Sequence, residues 1–129
     1  MSGSDIRTPL GRVRGTGAAK SGTEEFWHTR VTAVALVPLT IGFVLLVVAL
    51  LGRNHAYAQQ ILGSPLVAIM MLLFIGMSVY HMWLGMQEIL VDYIHDEFWK
   101  LVVLMANTFF CIAVGLACAF AIFKLSFGV

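Results

Sequence analysis

One histidine lies inside a long apolar stretch of the sequence, where an imidazole is unusual. His81 precedes Glu88 by seven residues, so on a helix it lies about 10 Å from the nearest charged residue that follows it. Ionisable side chains buried in a membrane usually serve a function, and imidazole is a common ligand of haem iron. The alternative is a packing histidine whose ring hydrogen-bonds a carbonyl or hydroxyl of a neighbouring helix.

The residues around His81 favour the ligand interpretation. Ser78, Gly85, Glu88 and Asp92 follow the spacing of three and four that places side chains on one helical face with His81. Gly85 leaves room one turn from the imidazole for a flat macrocycle, although a glycine there is also typical of close helix packing. Haem with two axial ligands would need a second ligand from another chain, because only one histidine lies at this depth.

A second candidate site is the pair Asp92 and Tyr93, where the same apolar stretch ends. A tyrosine hydroxyl can donate to a carbonyl oxygen and a nearby carboxylate can relay protons, and quinone reduction requires both. Each residue also has a simpler interpretation. Asp92 could be a solvated charge or a cap, and Tyr93 could belong to an interfacial aromatic belt with Trp83, Phe98 and Trp99.

The composition shows what must position these side chains. Of the 129 residues 60% are hydrophobic and 12% are charged, against about 25% charged in soluble domains. Crossing a bilayer takes about 20 apolar residues, and three stretches suffice, at about residues 30–51, 62–90 and 100–124. We therefore expect an all-α membrane protein with three transmembrane helices. The net charge of +1 argues against a nucleic-acid partner.

The distribution of basic residues predicts the orientation in the membrane. Two basic residues, Arg53 and Lys124, fall on one side, and six fall on the other: Arg7, Arg12, Arg14, Lys20, Arg30 and Lys100. The positive-inside rule therefore places the N-terminus inside and the C-terminus outside. We expect residues 1–23 to form a flexible tail and residues 24–129 to form the membrane domain.

Cys111 and Cys118 lie seven residues apart in the third stretch. This spacing on one helix separates them by about 10 Å, which excludes a disulfide between them. Cys111, Gly115 and Ala119 instead form a stripe of small residues that allows another helix to approach closely.

The segment from His81 to Tyr93, HMWLGMQEILVDY, resembles the signature of the hydrophobic membrane-anchor subunit of succinate dehydrogenase, respiratory complex II. That family has a histidine, ten intervening residues and then Asp-Tyr at the end of its second span, usually with Trp and Gly-Met just after the histidine. Arg30-Val31-Thr32-Ala33 resembles the Arg-x-Thr-Ala that begins its first helix. The resemblance covers about residues 24–129.

The resemblance implies a role for several residues. His81 would be an axial ligand of the iron of haem b, which it would share with a histidine of a companion cytochrome b subunit. Tyr93 would hydrogen-bond ubiquinone, and Asp92 would orient that site through a partner arginine. Arg30 would lie near the haem propionates. Glu88 departs from the uncharged residue usual in the family, and could reach the inner surface or perturb the haem edge.

The resemblance also implies what the chain does. Its helices would form half of a bundle that the cytochrome b subunit completes, and would dock the iron–sulfur and flavoprotein subunits to the membrane. The chain would help bind haem b and ubiquinone without catalysing a reaction alone. We expect it in the bacterial inner membrane, because Asp5, Glu24 and Glu25 argue against a mitochondrial transit peptide.

Two other functions are compatible with the sequence. One is a purely structural membrane anchor without haem, in which His81 is a packing residue. The other is a small proton transporter that uses Glu88 or Asp92. The transporter ranks last because such proteins usually have inverted repeats or a carboxylate near the bilayer centre, and the three stretches share no motif.

Overall fold

The computed structural model describes residues 8–13 and 21–128, and within them every regular element is an α-helix. The elements, in chain order, are α1 Pro9–Val13, α2 Ser21–Leu50, α3 His55–Leu62, α4 Pro65–Tyr93 and α5 Glu97–Phe127.

The three long helices α2, α4 and α5 are each long and apolar enough to cross a membrane. The predicted all-α architecture with three spans is therefore confirmed. The helices differ from the predicted spans at their ends: α2 starts at Ser21, and α5 extends from Glu97 to Phe127. Hydropathy detects only the part that lies in hydrocarbon, whereas a helix continues into the polar headgroup region. The orientation and the completing subunit remain predictions.

Local signals explain where the helices begin and end. Asp96 and Asn54 cap α5 and α3, since their carboxylate and amide oxygens accept from the amides of Trp99 and Tyr57, each at 2.9 Å. Pro65 occupies the first turn of α4, where its missing N–H costs nothing. The short helix α3 was not expected, and the second predicted span overlapped its last residue, although Gly63, Ser64 and Pro65 mark the break.

The helix α4 is central: it packs against α2 on one side and α5 on the other, while α3 touches both α4 and α5. Leu62, Met71 and Ile122 form a small buried cluster towards the end of the molecule that contains α3. Most large apolar side chains of α2 are exposed, for example Val34 at 72% and Leu45 at 65%. Such a surface is suited to lipid or to further helices rather than to water.

Part of the predicted flexible tail, residues 1–7 and 14–20, lies outside the described residues. Between these segments is the helix Pro9–Val13, and α2 begins at Ser21, inside the predicted tail. The flexibility of residues 1–23 stays a prediction.

Candidate functional site

His81 projects from α4 towards α2 and is half-buried between the two helices. Its Nδ1 atom lies 2.9 Å from the hydroxyl oxygen of Thr32. Thr32 is only 4% exposed, and its hydroxyl also lies 2.8 Å from the carbonyl oxygen of His28 and 3.1 Å from that of Thr29. The imidazole is therefore held through one ring nitrogen by a buried group of the neighbouring helix.

The other ring nitrogen of His81, Nε2, has no hydrogen-bond partner among the described residues. Gly85 lies one turn further along α4, and a Cβ atom added there would meet no other atom within 4 Å. An unengaged imidazole nitrogen next to open space fits a flat metal-centred macrocycle such as haem. The described residues contain no group of three His, Cys, Asp or Glu side chains able to hold a metal ion, so His81 would be a single ligand.

Glu88 lies on the same side of α4 as His81, and its carboxylate oxygen is 3.4 Å from the hydroxyl of Thr29. The same hydroxyl is 2.9 Å from the carbonyl oxygen of Glu25. It has a single hydrogen to donate, so the shorter bond to the carbonyl prevails. Glu88 is exposed, and this contact holds it only weakly.

Three carboxylates line a cavity of about 450 Å³ where α2, α4 and α5 approach one another. They belong to Glu25, Glu88 and Asp92, and the apolar wall includes Leu84 and Leu104. The cavity lies at the end of the molecule where α4 finishes at Tyr93. We call this end the acidic end.

The structure separates Asp92 from Tyr93 although they are adjacent in sequence. Asp92 lines the cavity, whereas the Tyr93 side chain is 80% exposed. Tyr93 is not among the residues that line the cavity. A ligand that contacted both side chains would have to extend beyond the cavity, at the acidic end of α4.

The structure does not bring Arg30 to His81. The Arg30 guanidinium lies over the ring of Phe26, 4.9 Å from its centroid. Arg30 and Thr32 are two residues apart and so point about 200° apart on α2. Since Thr32 faces His81, Arg30 is on the side of α2 turned away from α4. The predicted contact with haem propionates stays a prediction.

The Trp83 side chain contacts α5. Its indole N–H donates to the hydroxyl of Thr108 on α5 at 3.0 Å, and its carbonyl oxygen accepts from the amide of Asn107 at 3.3 Å. These contacts lie between α4 and α5 and involve the buried side of α5, which also includes Cys111. Cys111 and Cys118 are both free thiols, in agreement with their spacing.

Sequence reasoning missed Thr32 and the pair His28 and Tyr80 as parts of the site. The Nδ1 atom of His28 lies 2.5 Å from the Tyr80 hydroxyl, which joins α2 to α4 beside the contact between Thr32 and His81. The sequence contained a signal for Thr32, its position in the segment Arg30–Ala33. The partner of that threonine depends on the register between α2 and α4, which sequence spacing within either helix does not contain.

The fold and the site define a class: a small multi-pass membrane protein whose helices hold one histidine with an unengaged ring nitrogen. The family of succinate dehydrogenase/fumarate reductase transmembrane subunits matches residues 4–122. The chain therefore belongs to this family, as its resemblance had indicated.

Three bacterial relatives bear the name succinate dehydrogenase hydrophobic membrane anchor subunit. That of Paracoccus denitrificans is 28% identical over 121 residues, which are 94% of this chain and 93% of the relative. That of Rickettsia bellii is 29% identical over 119 residues, 92% of this chain and 95% of the relative. The Rickettsia conorii protein is 25% identical over 122 residues, with 92% and 95% covered. No solved structure is significantly similar to the chain.

Proposed function

We propose that this chain is the membrane-anchor subunit of a bacterial succinate:ubiquinone oxidoreductase, and that it supplies one axial ligand to haem b and part of the ubiquinone site. The observation that carries the proposal is the fixed imidazole of His81, with Nδ1 bound to Thr32 and Nε2 unengaged. The shared name of three relatives that align over nearly their whole length supports the identity of the complex.

The residues of this chain would have distinct tasks. His81 would hold the iron, and Gly85 would leave the space beside it free. Tyr93, exposed at the end of α4, would donate a hydrogen bond to a quinone carbonyl and orient the ring. Asp92 would relay a proton from water at the acidic end. When bound, haem b supplies a one-electron redox centre.

The proposed complex needs further subunits to hold its other redox groups. The described residues contain no donor set for an iron–sulfur cluster, so succinate oxidation would take place in flavoprotein and iron–sulfur subunits on the cytoplasmic face. The acidic end would face them if the predicted orientation holds. A companion cytochrome b subunit would contribute the second haem ligand and cover part of the apolar surface of α2.

Purification of the complex through a tag on this chain tests the proposal. In mild detergent we expect the flavoprotein, iron–sulfur and cytochrome b subunits to co-purify, with a b-type band in the reduced-minus-oxidised spectrum. His81→Ala should abolish or shift this band. The control His55→Ala changes an exposed histidine at the opposite end of the molecule and should leave it unchanged.

The structural anchor without haem is the second candidate, because the bond to Thr32 alone would explain a packing histidine. Partner subunits without any haem band would support this candidate and exclude haem binding. Absence of the dehydrogenase subunits from the purified material would refute both.

A further inference from the structure

We propose that Thr32 is a positioning residue for the haem ligand: its hydroxyl accepts the Nδ1 hydrogen of His81 and thereby leaves the lone pair on Nε2. The inference rests on the proposed function. It adds a task for a residue of α2 that touches neither iron nor quinone, and it specifies which nitrogen of His81 binds the metal.

A count of hydrogens supports this assignment. The Thr32 hydroxyl has one hydrogen, and three polar atoms lie near its oxygen: two backbone carbonyl oxygens at 2.8 and 3.1 Å and His81 Nδ1 at 2.9 Å. Carbonyl oxygens cannot donate, so all three short contacts are attractive only if the hydroxyl hydrogen is shared between the two carbonyl oxygens. The hydrogen between Thr32 and His81 is then carried by Nδ1. Neutral imidazole has only one N–H, so Nε2 keeps its lone pair.

The interface between α4 and α5 contains the same arrangement, and there the donor and the acceptor are unambiguous. The Thr108 hydroxyl lies 3.0 Å from the carbonyl oxygen of Leu104, one turn earlier, and 3.0 Å from Nε1 of Trp83. Indole nitrogen is only a donor, so Thr108 must accept from Trp83 and donate to Leu104. Thr32 has the same back-bond to the carbonyl four residues earlier and contacts a ring nitrogen at nearly the same distance.

Burial makes the threonine hard to replace. Thr32 is only 4% exposed, so water has little access to Nδ1 if the hydroxyl is removed. The isosteric change Thr32→Val would leave the Nδ1 hydrogen without an acceptor, which disfavours the tautomer that binds through Nε2. A hydrogen bond from Nδ1–H also raises the basicity of the ligating nitrogen. Loss of this bond should weaken ferric haem binding more than ferrous.

The test compares purified complexes that contain Thr32→Val, Thr32→Ser and Thr108→Val with the wild type. Haem per complex and the haem midpoint potential are measured. Loss of such a supporting contact typically costs about 10- to 100-fold in metal affinity, so Thr32→Val should lower haem occupancy. A tenfold greater loss of ferric than of ferrous binding corresponds to a rise of about 59 mV for one electron.

Thr32→Ser keeps the hydroxyl and should restore wild-type occupancy and potential. Thr108→Val removes a matched hydroxyl from the other interface and should change neither. If Thr32→Val does not assemble, Thr32→Cys provides a weaker acceptor of similar size and should give a smaller shift in the same direction.

Three outcomes would overturn the inference. In the first, Thr32→Val, or Thr32→Cys where only that variant assembles, has wild-type haem occupancy and potential. In the second, Thr108→Val produces the same shift as Thr32→Val, which would indicate general loosening of the helices. A wild-type complex without haem would refute the proposed haem site itself, and this differs visibly from a haem band that the Thr32 variants do not alter.

Discussion

The same hydrogen-bonding arrangement occurs twice along α4, at its interface with α2 and at its interface with α5. On each side a threonine contacts the backbone carbonyl one turn earlier, and its oxygen also meets a ring nitrogen of α4. Indole has one nitrogen and the contact with α5 uses it, whereas imidazole has two and the contact with α2 leaves one free. The same geometry therefore yields a fixed packing residue at Trp83 and a potential metal ligand at His81.

Gly85 and Gly115 have different surroundings. A Cβ added to Gly115 of α5 would lie 3.5 Å from Val79, in ordinary contact, so this glycine lies against α4. A Cβ added to Gly85 of α4 would meet nothing within 4 Å. Small residues at membrane helix interfaces usually allow close packing. Gly85 makes no such close contact with another helix of this chain, so the space beside it, one turn from His81, is open.

The largest expected effect that tests this comparison comes from Gly85→Leu. A Cβ atom at position 85 would meet no other atom within 4 Å, and the rest of the leucine would extend into the space next to His81. We therefore expect the complex to assemble with haem occupancy reduced at least about tenfold, comparable to loss of a supporting contact. The pyridine haemochrome assay gives the haem content. Assembled Gly85→Leu complex with full haem would show that the macrocycle does not use this space.

Tyr93→Phe should reduce succinate:quinone reductase activity by about tenfold, since a tenfold change corresponds to about 1.4 kcal/mol and one hydrogen bond contributes about that amount. Succinate oxidation with an artificial acceptor should survive. The control is Tyr57→Phe in α3, at the opposite end of the molecule; it keeps the ring that contacts Arg53 and should leave the quinone reductase activity unchanged. Equal quinone activity in wild type and Tyr93→Phe would remove Tyr93 from the quinone site.

Sequence patterns predicted the three long helices better than the contacts between them. Apolar stretches located α2, α4 and α5 because hydrocarbon requires long apolar helices, and residue spacing placed His81, Glu88 and Asp92 on one face of α4. Spacing within one helix carries no information about which residue of the next helix lies opposite. Only the packed structure shows the contact of Thr32 with His81. It also shows that Asp92 lines the cavity whereas Tyr93 does not.

The interface between α4 and α5 should respond to substitution through stability rather than through haem. Gly115→Leu would add side-chain atoms next to Val79, and overpacking of this kind costs about 1–3 kcal/mol. We expect the free energy of unfolding, measured by titration with SDS, to fall by that amount while the haem spectrum of the remaining folded complex is unchanged. Loss of haem from folded Gly115→Leu complex would mean that the two interfaces of α4 are coupled.

The smallest expected effect comes from a buried amide. Asn107 is 8% exposed; its amide donates to the carbonyl of Trp83, and its oxygen lies 3.6 Å from the Cys111 sulfur. Side-chain hydrogen bonds between membrane helices average only about 0.6 kcal/mol. Asn107→Leu should therefore lower the free energy of unfolding by about that amount, and Phe109→Leu, at an exposed position of α5, should change it less.

The carbonyl of Trp83 lies inside α4, where it can still accept the backbone hydrogen bond of the helix, so Asn107→Leu does not leave it unpaired. This distinguishes it from Thr32→Val, which removes the acceptor of an imidazole N–H that has no backbone alternative. Both variants remove one buried contact to α4, yet only the second should alter the haem. If Asn107→Leu shifts the haem midpoint potential as much as Thr32→Val does, the ligand is controlled by the packing of α4 as a whole, and the distinction between its two interfaces fails.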